Sequence, residues 1–184
     1  MAATIKFIDG GSVTSPQGFS AGATYAGLKT FAEDKLDLGI IASDSPCTAA
    51  GVFTTSTIKS PTVSVNQAHL KLTNPKGIIV NAGIANACVG EQGYKDAEEM
   101  ASIAASKLNT EPSEILVCST GVIGVELPMS LIRDGADNIN LSKAGANQVA
   151  RAMMTTDTRP KEIAVSCEID GKTVSIGGVA KGSG

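Results

Sequence analysis

The chain has 184 residues, 42% of them hydrophobic and 18% charged, as in folded globular proteins and unlike disordered or fibrous ones. Its net charge of −3 and its aromatic content of 3% disfavour nucleic-acid and anionic-membrane partners, which require clustered lysine and arginine. We expect a single domain over residues 1–184, because this length suits one hydrophobic core and no low-complexity linker interrupts the chain.

The amino-terminal residues show no basic region followed by an apolar run, and no later stretch is long enough to span a bilayer, so we expect a cytoplasmic protein. The cysteines are far apart and the chain has one histidine, His69, which disfavours a zinc site or a disulfide framework. We expect four small buried thiols and a non-catalytic His69 in a polar surface segment. A Cys–His dyad between distant residues stays open. The cysteines are Cys47, Cys88, Cys118 and Cys167.

Short runs rich in isoleucine and valine alternate with glycine and proline, and two amphipathic patterns separate some of them, which predicts a mixed α and β domain. Apolar residues at helical spacing predict one helix over 95–108. A second helix is predicted over 142–154, with Ser142 as N-cap and Pro160 beyond its end. The predicted strands are 38–42, 50–54, 77–81 and 115–119.

Residues 163–169 alternate between apolar and mostly polar side chains, and a second run covers 173–176. The Asp170-Gly171 dipeptide between them is favoured where both turn residues need positive φ, so the pattern predicts a β-hairpin. The chain then enters a glycine-rich segment around Lys181 that could be a flexible tail.

Three segments suggest chemistry. In Ser119-Thr120-Gly121, a hydroxyl residue before a glycine offers an O–H and an unobstructed N–H, the donors that stabilise an acyl-transfer oxyanion. A tight turn is the structural alternative. A phosphate cradle is disfavoured, because neither the dinucleotide nor the P-loop pattern fits and Lys181 precedes Gly182 instead of following a glycine.

The second segment, residues 155–158 (Thr-Thr-Asp-Thr), follows a predicted helix, where hydroxyls and aspartate commonly cap loose backbone groups. Capping and a chemical role are both open there. The third segment contains Lys181 next to Val179 and Ala180. A lysine buried in such surroundings needs an anion to meet it.

Together, these segments resemble the ornithine acetyltransferase (glutamate N-acetyltransferase) family in their sequences and in their order along the chain. The resemblance covers most of the chain. Its matching pieces are Gly27-Leu28-Lys29, residues 49–54, Asn81-Ala82-Gly83, residues 85–88, residues 119–124, residues 153–157 and residues 178–184.

The resemblance implies a precursor that cleaves itself before a threonine, which begins the β chain just past Gly184 and acts as nucleophile. The present chain would then be the α chain of a self-cleaving N-terminal-nucleophile type architecture, with layered sheets flanked by helices that the β chain completes. An α2β2 or larger assembly is implied. The free α-amine would take the hydroxyl proton, since its pKa of about 8 lies near working pH.

The implied reaction is a ping-pong transfer of acetyl from N-acetylornithine to glutamate in arginine biosynthesis, with no coenzyme or metal; acetyl-coenzyme A as a further donor stays open. By resemblance, Thr120 and Gly121 match the oxyanion pair, and Thr155 and Lys181 match substrate-binding positions. Ile84 departs from a pattern that usually has a polar residue, so we place no site in that loop. Arg159 and Lys161 are expected to be solvated.

Two alternatives remain at this stage. A self-processing aminopeptidase or amidohydrolase would share the architecture and let water attack the acyl-enzyme. A non-catalytic small-ligand-binding domain would have no nucleophile at all. The sequences of Thr120-Gly121 and of residues 155–158 resemble those of the transferase family and favour the transferase.

Overall fold

The computed structural model describes residues 4–29 and 35–182. The described strands are β1 (Lys6–Phe7), β2 (Phe19–Thr24), β3 (Leu38–Ser43), β4 (Gly77–Ile84), β5 (Ile115–Val122), β6 (Lys161–Ile169) and β7 (Lys172–Ala180). The described α-helices are α1 (Pro61–Leu72), α2 (Gly90–Leu108), α3 (Met129–Asp137) and α4 (Ala146–Ala152). The strands form a four-stranded and a three-stranded sheet flanked by helices, so the predicted mixed α/β class is confirmed.

The larger sheet has the strand order β2-β3-β4-β5. β3 is antiparallel to both β2 and β4, whereas β4 and β5 run parallel. The carboxyl ends of parallel strands meet at one edge of a sheet. The β4–β5 register accordingly places Gly83 opposite Gly121 and Ala82 opposite Thr120 at that edge.

Helices cover one face of this sheet and form the main core. Because successive strand residues point to opposite faces, Ile40 of β3, Ile79 of β4 and Val117 of β5 share the face that packs against α2 and α3. The fully buried helical side chains there are Met100, Ala101, Ala104 and Ile132. The opposite face carries a smaller cluster in which Ala21 and Val80 contact Val149 of α4.

The cysteines are free but none is fully buried, so the expectation of buried thiols is wrong. Cys88 and Cys118 are exposed, and Cys47 and Cys167 are half-buried. Cys118 follows Val117 and therefore points to the opposite face of β5, away from the helical layer.

Helix α1 was not predicted. Ser60 caps its first turn by accepting a hydrogen bond from the Thr62 N–H, and Pro61 occupies its first position. The Asn66 side chain then bonds both the N–H and the carbonyl of Val117 at 2.8 Å, and His69 Nδ1 donates to the Ile115 carbonyl at 2.7 Å. The supposed polar surface segment thus satisfies backbone groups along the outer edge of β5.

Three other predicted elements are extended, shortened or wrong. The helix predicted over 95–108 begins at Gly90. The one predicted over 142–154 opens with a 3-10 turn, Lys143–Gly145, and is α-helical only over Ala146–Ala152, and Ser142 makes no side-chain cap. The strand predicted over 50–54 is an exposed loop with Val52 fully accessible, because no described strand lies alongside it to supply ladder hydrogen bonds.

The three-stranded sheet has the order β1-β6-β7. Asp170 and Gly171 have φ of +49° and +73°, so the predicted hairpin and its turn are confirmed. β7 continues to Ala180, opposite Lys161, and most of the glycine-rich segment is therefore strand instead of tail. Its last residues, 183–184, lie outside the described part. Within the described part, no helix is long and apolar enough to cross a membrane.

Candidate active site

The carboxyl ends of β4 and β5 bring two distorted glycines together. Gly83 and Gly121 have φ of +118° and +139°, conformations that side-chain-bearing residues rarely adopt. A Cβ on Gly121 would collide with the backbone carbonyl of Gly83. Thr120 lies beside them, half-buried, and its hydroxyl makes no hydrogen bond to any described residue. This edge therefore presents a hydroxyl and bare backbone to the space above it.

Buried side chains hold the backbone beneath this edge. Ser119 Oγ accepts from the Asn86 N–H at 2.9 Å and donates to the Ile84 carbonyl at 3.2 Å. Asn81, fully buried, donates from Nδ2 to the same carbonyl at 2.8 Å. Asn86, also fully buried, donates to the Gly93 carbonyl at 2.6 Å. The side-chain amides of Asn81 and Asn86 therefore stabilise this backbone. Ile84 contributes its carbonyl, while its side chain packs against the core.

A second support comes from the turn before β3. The Asp37 carboxylate is fully buried and accepts backbone N–H bonds from Ala26, Leu28 and Lys29 at 2.6, 2.7 and 2.9 Å. The turn lies so close to Gly83 that a Cβ there would collide with the Leu28 carbonyl. Asp37 thereby fixes the position of the Leu28 backbone, which the Gly83 backbone contacts.

Lys29 extends from this turn to the end of α4. Its Nζ donates to the carbonyls of Leu36 and Ala152 at 2.6 and 2.8 Å, and to that of Arg151 at 3.4 Å. The side chain is buried, and burial lowers the pKa of Lys29 to about 8, although the Asp37 carboxylate acts in the opposite direction. The ammonium joins the turn to the segment that carries Thr155.

The Thr155 segment is organised around a buried aspartate. Asp157 Oδ2 accepts the Thr155 N–H at 3.2 Å, and Asp157 Oδ1 accepts the Gly182 N–H at 2.8 Å and the Lys161 ammonium at 2.7 Å. Lys181 Nζ lies 3.9 Å from Oδ2. The hydrogen bonds from Lys161 and Gly182 hold the pKa of Asp157 well below its usual range, so the carboxylate is charged.

Of the two lysines near Asp157, Lys161 differs from what the sequence suggested. Lys161 is not a solvated side chain but the close ion-pair partner of Asp157, because the hairpin starts there and directs it toward the carboxylate. Arg159 is exposed. Lys181, a predicted substrate-binding residue, forms only a long ion pair with Asp157, and its side chain is 27% exposed.

One cavity of about 380 Å³ brings the four predicted site residues together. Thr120 and Gly121 contribute to its lining from β5, Thr155 from the segment after α4, and Lys181 from the segment after β7. The residues that sequence reasoning did not assign are Lys29, Lys35, Gly83, Val122 and Thr156. Of the residues that the structure describes, three lysines and no acidic residue line this cavity, and this lining suits an anionic ligand such as a carboxylate.

Of the missed residues, only Lys35 carried no signal, since the other four belong to motifs that resemble the family. An adjoining cavity shares Lys29, Lys35 and Thr155 and reaches Asp157. Among the described residues, no group of three or more histidine, cysteine, aspartate or glutamate side chains is arranged to hold a metal ion.

Comparisons with known proteins agree on one family. The sequence model of the ArgJ family matches residues 20–184. The chain is 46% identical to the "Arginine biosynthesis bifunctional protein ArgJ" of Dehalococcoides mccartyi over 184 residues, which is 100% of this chain and 45% of that protein. It is 45% identical to the protein of the same name from Bacillus subtilis over 175 residues, 95% of this chain and 42% of that one. The chain thus spans about half the length of these curated relatives.

Solved structures match over nearly the whole chain. The crystal structure of arginine biosynthesis bifunctional protein ArgJ from Bacillus halodurans superposes with a TM-score of 0.94 at 37% identity, covering 100% of this chain and 96% of that one. Ornithine acetyltransferase complexed with ornithine, from Mycobacterium tuberculosis, gives a TM-score of 0.88 at 34% identity, with 98% and 96% of the two chains covered.

Proposed function

Because the chain belongs to the ArgJ family, we propose that it is the α chain of a self-cleaved enzyme that moves an acetyl group from N-acetylornithine to glutamate. The products are ornithine and N-acetylglutamate. The observation that carries the proposal is the convergence of Thr120, Gly121, Thr155 and Lys181 on one lysine-lined cavity. These residues come from three separate segments, and the cavity suits substrates that all carry an α-carboxylate.

In this proposal the α chain supplies the oxyanion site. When a nucleophile attacks the acetyl carbonyl, the oxygen gains charge, and donors fixed in advance stabilise that charge without reorganising. The Thr120 hydroxyl makes no hydrogen bond to a described residue, so none has to break before it donates to the oxyanion. The Gly121 backbone lies in close contact with that of Gly83. We propose that the Thr120 hydroxyl and the Gly121 N–H, both at the cavity wall, donate to the charged oxygen.

The substrate side of the cavity supplies cations and a hydroxyl. Lys181 meets the carboxylate that N-acetylornithine and glutamate have in common, and Thr155 lies beside it. The nucleophile is the first threonine of a β chain from the same precursor, and its free α-amine takes the hydroxyl proton. With a pKa of about 8 that amine serves as a base near neutral pH, so no histidine is required.

The test uses the complete protein, isolated after self-cleavage into two chains. Incubated with N-acetylornithine and glutamate, it should release ornithine and N-acetylglutamate in equal amounts. Omitting glutamate should leave one acetyl group per active site, bound to the new amino-terminal threonine and detectable by mass spectrometry. Steady release of acetate without glutamate would favour the hydrolase, and binding of the amino acids without any acetyl-enzyme would favour a ligand-binding domain.

A further inference from the structure

Asp157 connects the two segments that form the substrate side of the cavity. Its carboxylate accepts the backbone N–H of Thr155 and that of Gly182, which lies 25 positions further along the chain. Lys161, the first residue of β6, and Lys181, which follows the last residue of β7, approach the same carboxylate. We infer that Asp157 is a positioning residue for substrate binding, with Lys161 as its permanent counter-ion and Lys181 as a cation that it releases to the substrate carboxylate. The inference rests on the proposed function.

The two ion pairs are unequal in a way that fits this division. Lys161 Nζ lies 2.7 Å from Oδ1, a hydrogen-bonded distance, whereas Lys181 Nζ lies 3.9 Å from Oδ2, beyond hydrogen-bond reach. Lys161 is anchored in a strand opposite Ala180. Lys181 comes after the end of β7 and lines the cavity, whereas Lys161 does not line it. Only Lys181 is thus placed to face a ligand.

A nearby cation stabilises a carboxylate that is buried as deeply as that of Asp157. The Asp157 side chain is 1% exposed, and a buried charge without a partner is costly. If Lys181 were its only partner, a substrate carboxylate would have to compete with Asp157 for that ammonium. Because Lys161 stays in place, Lys181 can move to the substrate while Asp157 remains paired. The same buried carboxylate keeps Thr155 and the backbone of Gly182 at fixed positions for the incoming substrate.

A purely structural Asp157 would cap the turn after α4 and have no link to Lys181. A double-mutant cycle in the complete, self-cleaved enzyme separates the two roles. We expect Asp157→Asn to raise the KM for N-acetylornithine and for glutamate about tenfold, with a smaller change in kcat, as for the loss of binding shared by ground and transition states. In a Lys181→Met background, we expect the same change to raise KM by no more than about twofold, because the cation that Asp157 positions is gone. Equal factors in both backgrounds would overturn the inference.

Lys161→Met provides a second test if Asp157→Asn disturbs folding or self-cleavage. Without Lys161, Asp157 retains Lys181 for itself, so we expect the KM for both substrates to rise about three- to tenfold although Lys161 does not touch them. Lys172→Met, an exposed lysine at the far end of the same hairpin, is the matched control. Equal KM values for these two variants would contradict the role of Lys161 as counter-ion.

A binding measurement distinguishes failure of this inference from failure of the proposed function. In a sample with ¹³C-methylated lysines, used for binding alone because methylation also modifies the proposed α-amine base, glutamate should shift the NMR signal of Lys181 and leave that of Lys161 unchanged; acetyl transfer is measured on the unmodified enzyme. If the signal shifted but no acetyl were transferred, the proposed function would fail and the inference would stand. If acetyl were transferred while the Lys161 signal moved and the Lys181 signal did not, the inference alone would fail.

Discussion

At the scale of single residues, Thr120 is the position where a hydroxyl matters most for rate. We expect Thr120→Ala to lower kcat about 100-fold or more, because removing one oxyanion donor typically costs about 3 kcal/mol of transition-state stabilisation. Self-cleavage of the precursor should slow as well, since it also passes through a tetrahedral oxyanion. Thr120→Ser retains the hydroxyl and is the matched control. An unchanged rate of acetyl transfer in the alanine variant would leave the segment with only a structural role.

Lys181 should act through its charge. We expect Lys181→Met to leave self-cleavage intact and to raise the KM for N-acetylornithine and glutamate together, by about tenfold or more, as the loss of a charge-assisted bond of about 1.5–3 kcal/mol would do. Arg159→Met, which removes an exposed cation near the same hairpin, is the control and should have little effect. The measurement is steady-state kinetics after both chains are seen on a gel. Equal small effects would reduce Lys181 to a part of the strand, and a precursor that no longer cleaves would give it a role in maturation.

At the scale of elements, Lys29 links the turn before β3 to the end of α4, and this link should depend on pH. The pKa of Lys29 is about 8 in the folded chain against an ordinary value of 10.5. Below pH 8 both states bind the proton and the cost of burying the charge is fully present. Between 8 and 10.5 the unfolded state binds more protons, so this group makes the free energy of unfolding rise with pH.

We therefore expect wild-type protein to gain stability relative to Lys29→Met between about pH 7.5 and about pH 9.5, as measured by urea unfolding of the complete enzyme. Taking the difference between the two proteins removes the contribution of other titrating groups. Lys172→Met is exposed and should follow the wild-type curve. Parallel curves for wild type and Lys29→Met would show that the pKa of Lys29 is not lowered.

The β6–β7 hairpin shows how much of the site can be predicted from a local turn sequence. Asp170-Gly171 predicts a two-residue turn, and a two-residue turn sets the register of every later pair. Counting outward from it places Lys161 opposite Ala180, as observed, and hence Lys181 beside Pro160. The position of Lys181 near the Thr155 segment could therefore be predicted from the sequence. That prediction requires extending the residue pairing beyond the ends of the predicted strands.

The other half of the site could not be predicted in this way. Gly83 meets Gly121 through a parallel strand pair joined by a long helical crossover, and no short turn sets that register. The dependence of Gly83 on the turn at Leu28, and of that turn on Asp37, involves contacts between segments with no shared local pattern. Ser60-Pro61 is a recognisable N-terminal signal for helix α1. The valines and polar residues of that helix, however, do not follow a clear helical periodicity of apolar side chains.

At the scale of the whole molecule, the three-stranded sheet has one apolar face on which several of the described side chains are exposed. Paired residues of neighbouring strands share a face, so Phe7, Val165 and Ile176 lie together. Phe7 is 77% exposed and Ile176 is 59% exposed. Ile163, Ile169 and Val174 extend the same face. A contiguous apolar surface of this kind is characteristic of an interface. The curated relatives are about twice as long as this chain, and we expect their remaining half to supply the cover.

Residues 1–184 produced alone should therefore fold poorly and transfer no acetyl group. Exposed apolar sheet surface contributes no stabilisation until it is buried, and the proposed nucleophile belongs to the proposed β chain. We expect a broad thermal transition and binding of a hydrophobic dye, as for loosely packed states. Co-expression with the remainder of the protein should restore a sharp transition and activity together, and the polar variant Ile176→Ser should weaken that restoration because it alters the apolar face without touching the cavity. A cooperative melt and unaided acetyl transfer by the isolated 184 residues would contradict the assignment of this chain as an α subunit.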